Sequence, residues 1–286
     1  MEFKKLGHTD AVIPEIGIGT WQYQGGPELL RSAVELGAAL IDTAEYYRNE
    51  EVVGKAIRGI RGQVFVATKT NHWRYKEVMA SADASLKRLG VDRIDLYQLH
   101  WPNGAVPLEE TMAAMEALVD QGKVRYLGVS NFSIGEMQRA QAALRRQRLV
   151  SNQLRYSLVE RTIEPRILPY CQRHQVTVLA YSPLGHAFSK LTGADPADVL
   201  GRVAKATGKT RAQVALNWCI AKPGVVAIPK TESAPHLAEN CASSGWRLSE
   251  EHRRLLDRSI RFRRRSRPEA VLRRLVRNTL QRIRGA

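Results

Sequence analysis

Short apolar runs recur along the chain at residues 16–19, 40–42, 64–68, 94–99, 126–129, 150–153, 177–181 and 225–229. Each is brief and flanked by polar or turn-forming residues, the pattern of a buried strand. Between them stand stretches of helical length, among them 28–36, 76–89, 108–121 and 136–145, in which apolar residues return at every third or fourth position. Strand starts fall mostly 24 to 32 residues apart. A strand and a helix repeated at that period make a parallel sheet, because parallel neighbours need a crossover between them. The gap before the eighth run is longer and predicts two helices, over 196–206 and 211–221. Ahead of the first run, residues 3–13 alternate polar and apolar around a turn at 7–10, which predicts a β-hairpin able to plug one end of a barrel.

Eight strand–helix units suit either a closed (β/α)8 barrel or an open doubly wound sheet. The open dinucleotide-binding sheet carries GxGxxG directly after an early strand, whereas the first strand here runs into GTWQYQGG. The expected fold class is therefore α/β: a (β/α)8 TIM barrel with an N-terminal β-hairpin and a basic C-terminal helical extension. At 286 residues the length suits one such barrel, over residues 1–260, followed by an arginine-rich extension over 261–286.

Composition narrows the picture in three places. The net charge is +16, but residues 261–286 hold ten arginines against the single Glu269 and so account for +9 of it, leaving +7 for the rest. Within that extension 268–284 reads as a helix with Leu272, Leu275, Val276, Leu280 and Ile283 on one side. A packed helix with a solvated basic face, a contact with an acidic membrane or nucleic acid, and an oligomer contact all suit it. RFRRRSR just before it, if it lies near the active-site mouth, would favour carboxylate-bearing substrates. Cys171, Cys219 and Cys241 are odd in number and not at metal-ligand spacing, which predicts buried free thiols and no metal site. The opening MEFKKLGHTD lacks an apolar run after its lysines and no uncharged stretch approaches the ~20 residues of a membrane span, so a cytoplasmic enzyme is expected. In that compartment the Asn131-Phe132-Ser133 sequon has no use.

A parallel barrel works at the C-terminal ends of its strands. Asp42 ends the second, Lys69 follows the third, His100 follows the fourth, Ser130 and Asn131 follow the fifth, Gln153 ends the sixth and Tyr181 the seventh. Singly, each has a bland explanation as a helix cap, a solvated lysine, a core histidine, a turn or rim packing. Their convergence on one mouth does not.

The same strings resemble the aldo-keto reductase family, in its prokaryotic, short-loop form, from GIGTW at Gly17 to the AEN that ends at Asn240. IDTAEYYRNEEVVGKAI, over 41–57, looks like the family's second strand and loop, with Asp42 five positions ahead of the tyrosine, Tyr47. VFVATKT then supplies Lys69, DLYQLHWP supplies His100, and GVSNF supplies Ser130 and Asn131. The resemblance implies reduction of an aldehyde or ketone by NADPH, with NADH tolerated. The chemistry of such a site agrees. A carbonyl that accepts hydride develops oxyanion character and needs an adjacent donor, which Tyr47 can be. A nearby Lys69 is expected to lower the phenol's pKa, Asp42 to hold that lysine, and neutral His100 to aim the substrate oxygen. No side chain donates hydride, so a cofactor must.

For that cofactor the resemblance implies that Ser130, Asn131 and Gln153 hold the nicotinamide amide while Tyr181 stacks on the ring. Ser182, Pro183 and Leu184 would wrap the pyrophosphate, with Gly19, Thr20, Trp21, Asp42 and Ile228 alongside. Lys230 and Thr231 would face the 2′-phosphate, and Glu239 and Asn240 the adenine. Many members place an arginine two residues before the Ala-Glu-Asn triplet; this chain has His236 there, which favours tolerance of NADH. Trp21, Trp73 and Trp101 are expected to wall the substrate pocket with Tyr47 and His100, and the short WPNGAVP loop implies an open pocket. A monomer or small homo-oligomer is expected. The contrary account is a cofactor-bound sensor or scaffold barrel whose basic tail engages an acidic partner. A free-standing nucleic-acid binder would need aromatic–basic clusters that the rest of the chain lacks.

Overall fold

A computed structural model describes residues 1–186 and 188–262 of the chain. The expected helix over 268–284 and the RFRRRSR segment beyond Phe262 lie outside the described residues. Two short strands, β1 (Phe3–Lys5) and β2 (Val12–Pro14), pair antiparallel as the expected hairpin. Eight parallel strands follow: β3 (Ile18–Gly19), β4 (Leu40–Asp42), β5 (Phe65–Thr70), β6 (Ile94–Leu99), β7 (Val124–Ser130), β8 (Leu149–Arg155), β9 (Thr177–Tyr181) and β10 (Val225–Ala227). Each pairs with its sequence neighbour, and a bridge from Ile16 to Ala227 joins the last strand to the first. The sheet is thus closed as a barrel, the solution that leaves no edge strand.

Outside the strands run α1 (Pro27–Glu35), α2 (Glu50–Ile57), α3 (Tyr75–Leu89), α4 (Leu108–Asp120), α5 (Ile134–Ala143) and α6 (Ile167–Arg173). The long eighth gap holds α7 (Phe188–Gly193), α8 (Val199–Thr207) and α9 (Arg211–Ile220), and α10 (Ala234–Cys241) and α11 (Glu250–Ser259) complete the set. Their starts follow local chemistry. Ser133 and Glu136 form a reciprocal capping box ahead of α5, and Thr210 with Gln213 does the same for α9, each satisfying two otherwise orphaned amides. Gly90 and Gly208 adopt the left-handed conformation that ends α3 and α8.

The larger core lies between the strands and the helix ring, with Trp218, Tyr97 and Tyr156 among its bulkiest buried side chains. A second, smaller core fills the barrel's lower interior. There Leu6 and Ile13 of the hairpin, both 0% exposed, meet Leu40, Ala67, Leu96, Leu179 and Val226 from five different strands. At about 25 cal/mol per Å² of apolar surface, a fully buried leucine contributes roughly 1.5–3 kcal/mol, so the plug is a structural necessity of this end. The three cysteines are free and buried, and among the described residues no helix is long and apolar enough to cross a membrane.

Several strand ends differ from the sequence reading. Lys69 lies inside β5 rather than after it, Gln153 lies inside β8, which continues to Arg155, and β10 stops at Ala227. Polar residues at the first two sites looked like strand ends, but the barrel mouth accepts them. At the third, Pro229 has no amide to continue the ladder.

Candidate active site

Alternate residues of a strand share a face, and in this barrel the inward face changes character over one step. Leu40, Ala67, Leu96 and Leu179 belong to the lower core, and two positions onward come Asp42, Lys69, Gln98 and Tyr181. Above them opens a cavity of about 1100 Å³. It is lined by Asp42, Tyr47, His100, Ser130, Asn131, Gln153, Tyr181 and Arg155, by Trp21, Trp73 and Trp101, and by Gly19, Thr20, Ser182, Pro183, Leu184, Ile228 and Lys230. Thr231, His236, Glu239 and Asn240 are not in its lining. They lie on or just before α10, where His236 is exposed and Thr231 and Asn240 are buried.

At the centre, the Lys69 ammonium donates to Asp42 Oδ1 and to the Thr43 carbonyl, each at 2.7 Å. Lys69 is wholly buried. Burial pushes its pKa down and the Asp42 carboxylate opposes that shift. Asp42 is itself saturated, since its other oxygen accepts from Gln153 Nε2 at 2.7 Å and from Gln98 Nε2 at 3.4 Å. A buried ion pair of this kind survives only where its remaining donors and acceptors are matched.

Tyr47 sits in a single 3-10 turn (Glu45–Tyr47) just after β4, ended by the left-handed Arg48. Asn49 fixes the loops around it: its Nδ2 donates to the Thr20 carbonyl at 2.7 Å and its Oδ1 accepts from Thr43 Oγ1 at 2.8 Å. The Tyr47 hydroxyl is 3.5 Å from His100 Nε2. Lys69 Nζ lies 4.9 Å from the Tyr47 ring centroid, against the ring. Here the structure departs from the sequence expectation. The phenol's pKa is pushed up rather than down, first by burial and then by the Asp42 carboxylate. Desolvation of the phenol, with the Asp42 carboxylate nearby, outweighs the ammonium against its ring. His100 is pushed down to about 3, by burial and then by the Lys69 charge, and its Nδ1 is buried without a partner. A neutral imidazole facing the cavity through Nε2 results.

On the opposite wall Asn131, held at φ 64°, donates from Nδ2 to Ser130 Oγ at 2.9 Å and to the His100 carbonyl at 3.3 Å. The Tyr181 hydroxyl donates to Asn131 Oδ1 at 3.0 Å. Ser130, Asn131, Gln153 and Tyr181 are therefore brought together as one polar shelf with an aromatic floor. Lys230 closes the far end of the cavity and is paired at 2.7 Å with Glu232, which also accepts from the Gln24 amide at 2.9 Å. Trp21 stands edge-on to Tyr47 with ring centroids 6.3 Å apart, and Trp73 Nε1 donates to the Trp101 carbonyl at 2.9 Å. All three expected tryptophans thus wall the mouth.

Four participants escaped the sequence reading: Thr43, Asn49, Gln98 and Arg155. Gln98 is two positions before His100 and Arg155 two after Gln153, so the period of two carried a signal for both. Thr43 and Asn49 act through backbone and loop contacts that no periodicity encodes.

Comparison with known proteins agrees with this geometry. The model of the Aldo/keto reductase family matches residues 15–261. Methylglyoxal reductase YeaE of Escherichia coli (strain K12) is 39% identical over 262 residues, covering 87% of this chain and 92% of its own. The glyoxal reductase of Bacillus subtilis (strain 168) is 32% identical over 85% of this chain and 88% of its own. Among solved structures, an aldo-keto reductase from Klebsiella pneumoniae in complex with NADPH superposes with a TM-score of 0.82 at 40% identity, over 93% of this chain and 98% of its own. A thermostable aldo-keto reductase, Tm1743, in complex with the inhibitor epalrestat gives 0.83 at 39%, over 90% and 99%. By its kinship this chain is an oxidoreductase, and it belongs to the aldo/keto reductase family.

Proposed function

We propose that the protein reduces aldehydes or ketones to alcohols with NADPH, accepting NADH less well, as a cytoplasmic enzyme whose barrel over 1–260 carries the reaction. The observation that carries this reading is the meeting of Tyr47, His100 and the Lys69–Asp42 pair at the base of one cavity. The cavity suits the cofactor in size and donors. Pockets for drug-sized ligands run to about 1,000 Å³, and about 1100 Å³ here is lined end to end by amide groups, an aromatic floor and a lysine. Ser130, Asn131 and Gln153 would hold the carboxamide and Tyr181 the ring face. Ser182, Pro183 and Leu184, with Gly19, Thr20, Trp21 and Ile228, would flank the pyrophosphate, and Lys230 and Thr231 would meet the 2′-phosphate. His236, Glu239 and Asn240 would serve the adenosine end from α10. The nicotinamide, when bound, supplies the hydride.

The protein's own part is the oxygen end of the carbonyl. Its oxygen sits between Tyr47 Oη and His100 Nε2, two donors close enough to share one acceptor. Because burial holds the phenol protonated well beyond neutral pH, the acid is loaded when the oxyanion develops. Tyr47 then gives up its proton as the acceptor's basicity rises. Lys69, against the ring, stabilises the tyrosinate that remains. Asp42 and Gln153 keep that cation fixed, so no reorganisation is needed during the step. Trp21, Trp73 and Trp101 exclude water from the carbonyl.

The test is NADPH consumption with a panel of aldehydes by wild type and Tyr47→Phe. General acid catalysis is worth roughly 10²–10⁴-fold, and a loss of that size with cofactor affinity retained is expected. Binding of NADPH without turnover of any carbonyl by wild type would instead favour the sensor or scaffold account.

A further inference from the structure

Beyond the groups already placed, the mouth holds a partly buried cation that no carboxylate among the described residues pairs with. Arg155 shares the inward face of β8 with Gln153 and lines the cavity. Its guanidinium lies 5.7 Å from the centroid of the Tyr181 ring, and an Nη hydrogen bonds to His186 Nε2. That partner brings no charge, since burial and then Arg155 itself push His186 below its ordinary pKa. The Nε of Arg155 is buried and meets no acceptor, and among the described residues no carboxylate pairs with the side chain. The other cations of the cavity differ. Lys69 is matched by Asp42 and Lys230 by Glu232, each at 2.7 Å, and Arg74 is exposed. A guanidinium offers five donors in a fixed fork suited to a planar or tetrahedral oxyanion. The buried Nε–H without an acceptor is unfavourable unless a ligand completes it, and the other Nη donors remain open toward the cavity to do so.

We propose that Arg155, braced by His186 and Tyr181, binds an anionic group, carboxylate or phosphate, on the distal end of the carbonyl substrate. The proposal rests on the reductase reading and adds the substrate's charge and shape to it. β8 stands four places from β4 in the closed order of eight strands, so Arg155 and the turn that carries Tyr47 follow strands on opposite sides of the barrel, and both line the one cavity. A favoured substrate carries its anion across a ring or a chain of several bonds. The cofactor's phosphates are the other oxyanions that enter this cavity, and the experiment separates the two sources.

The experiment compares 4-carboxybenzaldehyde with its neutral methyl ester, using wild type, Arg155→Leu and Arg155→Lys. NADPH affinity is measured separately from quenching of tryptophan fluorescence. Wild type is expected to prefer the acid. Arg155→Leu should lower kcat/KM for the acid about 10- to 100-fold, the size of a charged hydrogen bond. It should act through KM, leave the ester within about 2-fold and leave NADPH affinity unchanged, while Arg155→Lys retains part of the preference. Equal losses on acid and ester, weaker NADPH binding, or a wild type indifferent to the acid would each overturn the assignment. Should Arg155→Leu not fold, the same comparison is read from Arg155→Lys. A wild type that consumes no NADPH with either aldehyde strikes the reductase reading itself, an outcome distinct from indifference to charge.

Discussion

The two ends of the barrel are built from the same strands and serve opposite purposes. At the lower end Leu6 and Ile13 of the hairpin meet Leu40, Ala67, Leu96 and Leu179 in a buried apolar plug. One inward step higher stand Asp42, Lys69, Gln98 and Tyr181, and beyond them Trp21 and Trp101 are 43% and 36% exposed. The lower end gains from burial of apolar surface. The upper end buries an ion pair that gives little net stability but presents a fixed charge to Tyr47. A shift of two residues along a strand therefore separates a position that answers to packing from one that answers to chemistry.

Substitutions at the two ends should accordingly dissociate activity from stability. The largest effect is expected for Tyr47→Phe, a fall of roughly 10²–10⁴-fold in kcat with an unchanged denaturation midpoint, measured on the same preparation. Lys69→Met should strike both properties. It leaves Asp42 buried without its cation, at a cost of about 3–5 kcal/mol by analogy with other broken buried pairs, and chemical denaturation reads this directly. Leu96→Ala, on the same strand as Gln98, should cost about 2–5 kcal/mol while kcat of the folded protein stays within about 2-fold. A large loss of kcat there would show that the plug positions the site after all.

The smallest effect concerns pH. With His100 pushed down to about 3 and the Tyr47 phenol pushed up, neither group titrates between about pH 5 and 9. Reductive kcat should be flat over that range, and an acid limb near pH 6.5, the ordinary imidazole value, would contradict the buried neutral His100. Stability should behave differently. Unfolded His100 takes up a proton below about pH 6.5 while the folded residue resists until about 3. The unfolded state thus binds more protons within that window, and stability falls as pH falls through it. Replacing His100 with Gln should flatten that slope.

Much of this was legible in the chain. β4, β6 and β9 fall where the apolar runs placed them, because a buried parallel strand is a nearly continuous apolar run. The helix before residue 145 was offset: α5 begins at Ile134, and the Ser133–Glu136 capping box that sets its start is itself a sequence signal. β8 runs on past Gln153, where the apolar run ended, because a charged residue at the rim of a barrel can still hold its ladder, as Arg155 does opposite Tyr181. In the site, Asp42, Lys69, His100, Ser130, Asn131, Gln153 and Tyr181 were named from their positions at strand ends, and Tyr47 from the family resemblance of the segment that holds it. The direction of the Tyr47 shift was not legible, since it depends on how deeply the phenol is buried and how near Asp42 lies.

The sequence by itself determined the strand–helix repeat, the closed α/β architecture and the set of reactive side chains, because these follow from periodicity and from residue type. Only the tertiary structure decided how those side chains share their bonds. Burial and the nearby Asp42 carboxylate raised the phenol, burial and then the Lys69 charge kept His100 neutral, and Arg155 came to lie with its Nε buried and unmet. Desolvation and pairing are properties of groups brought together from distant parts of the chain, and local sequence carries no measure of either.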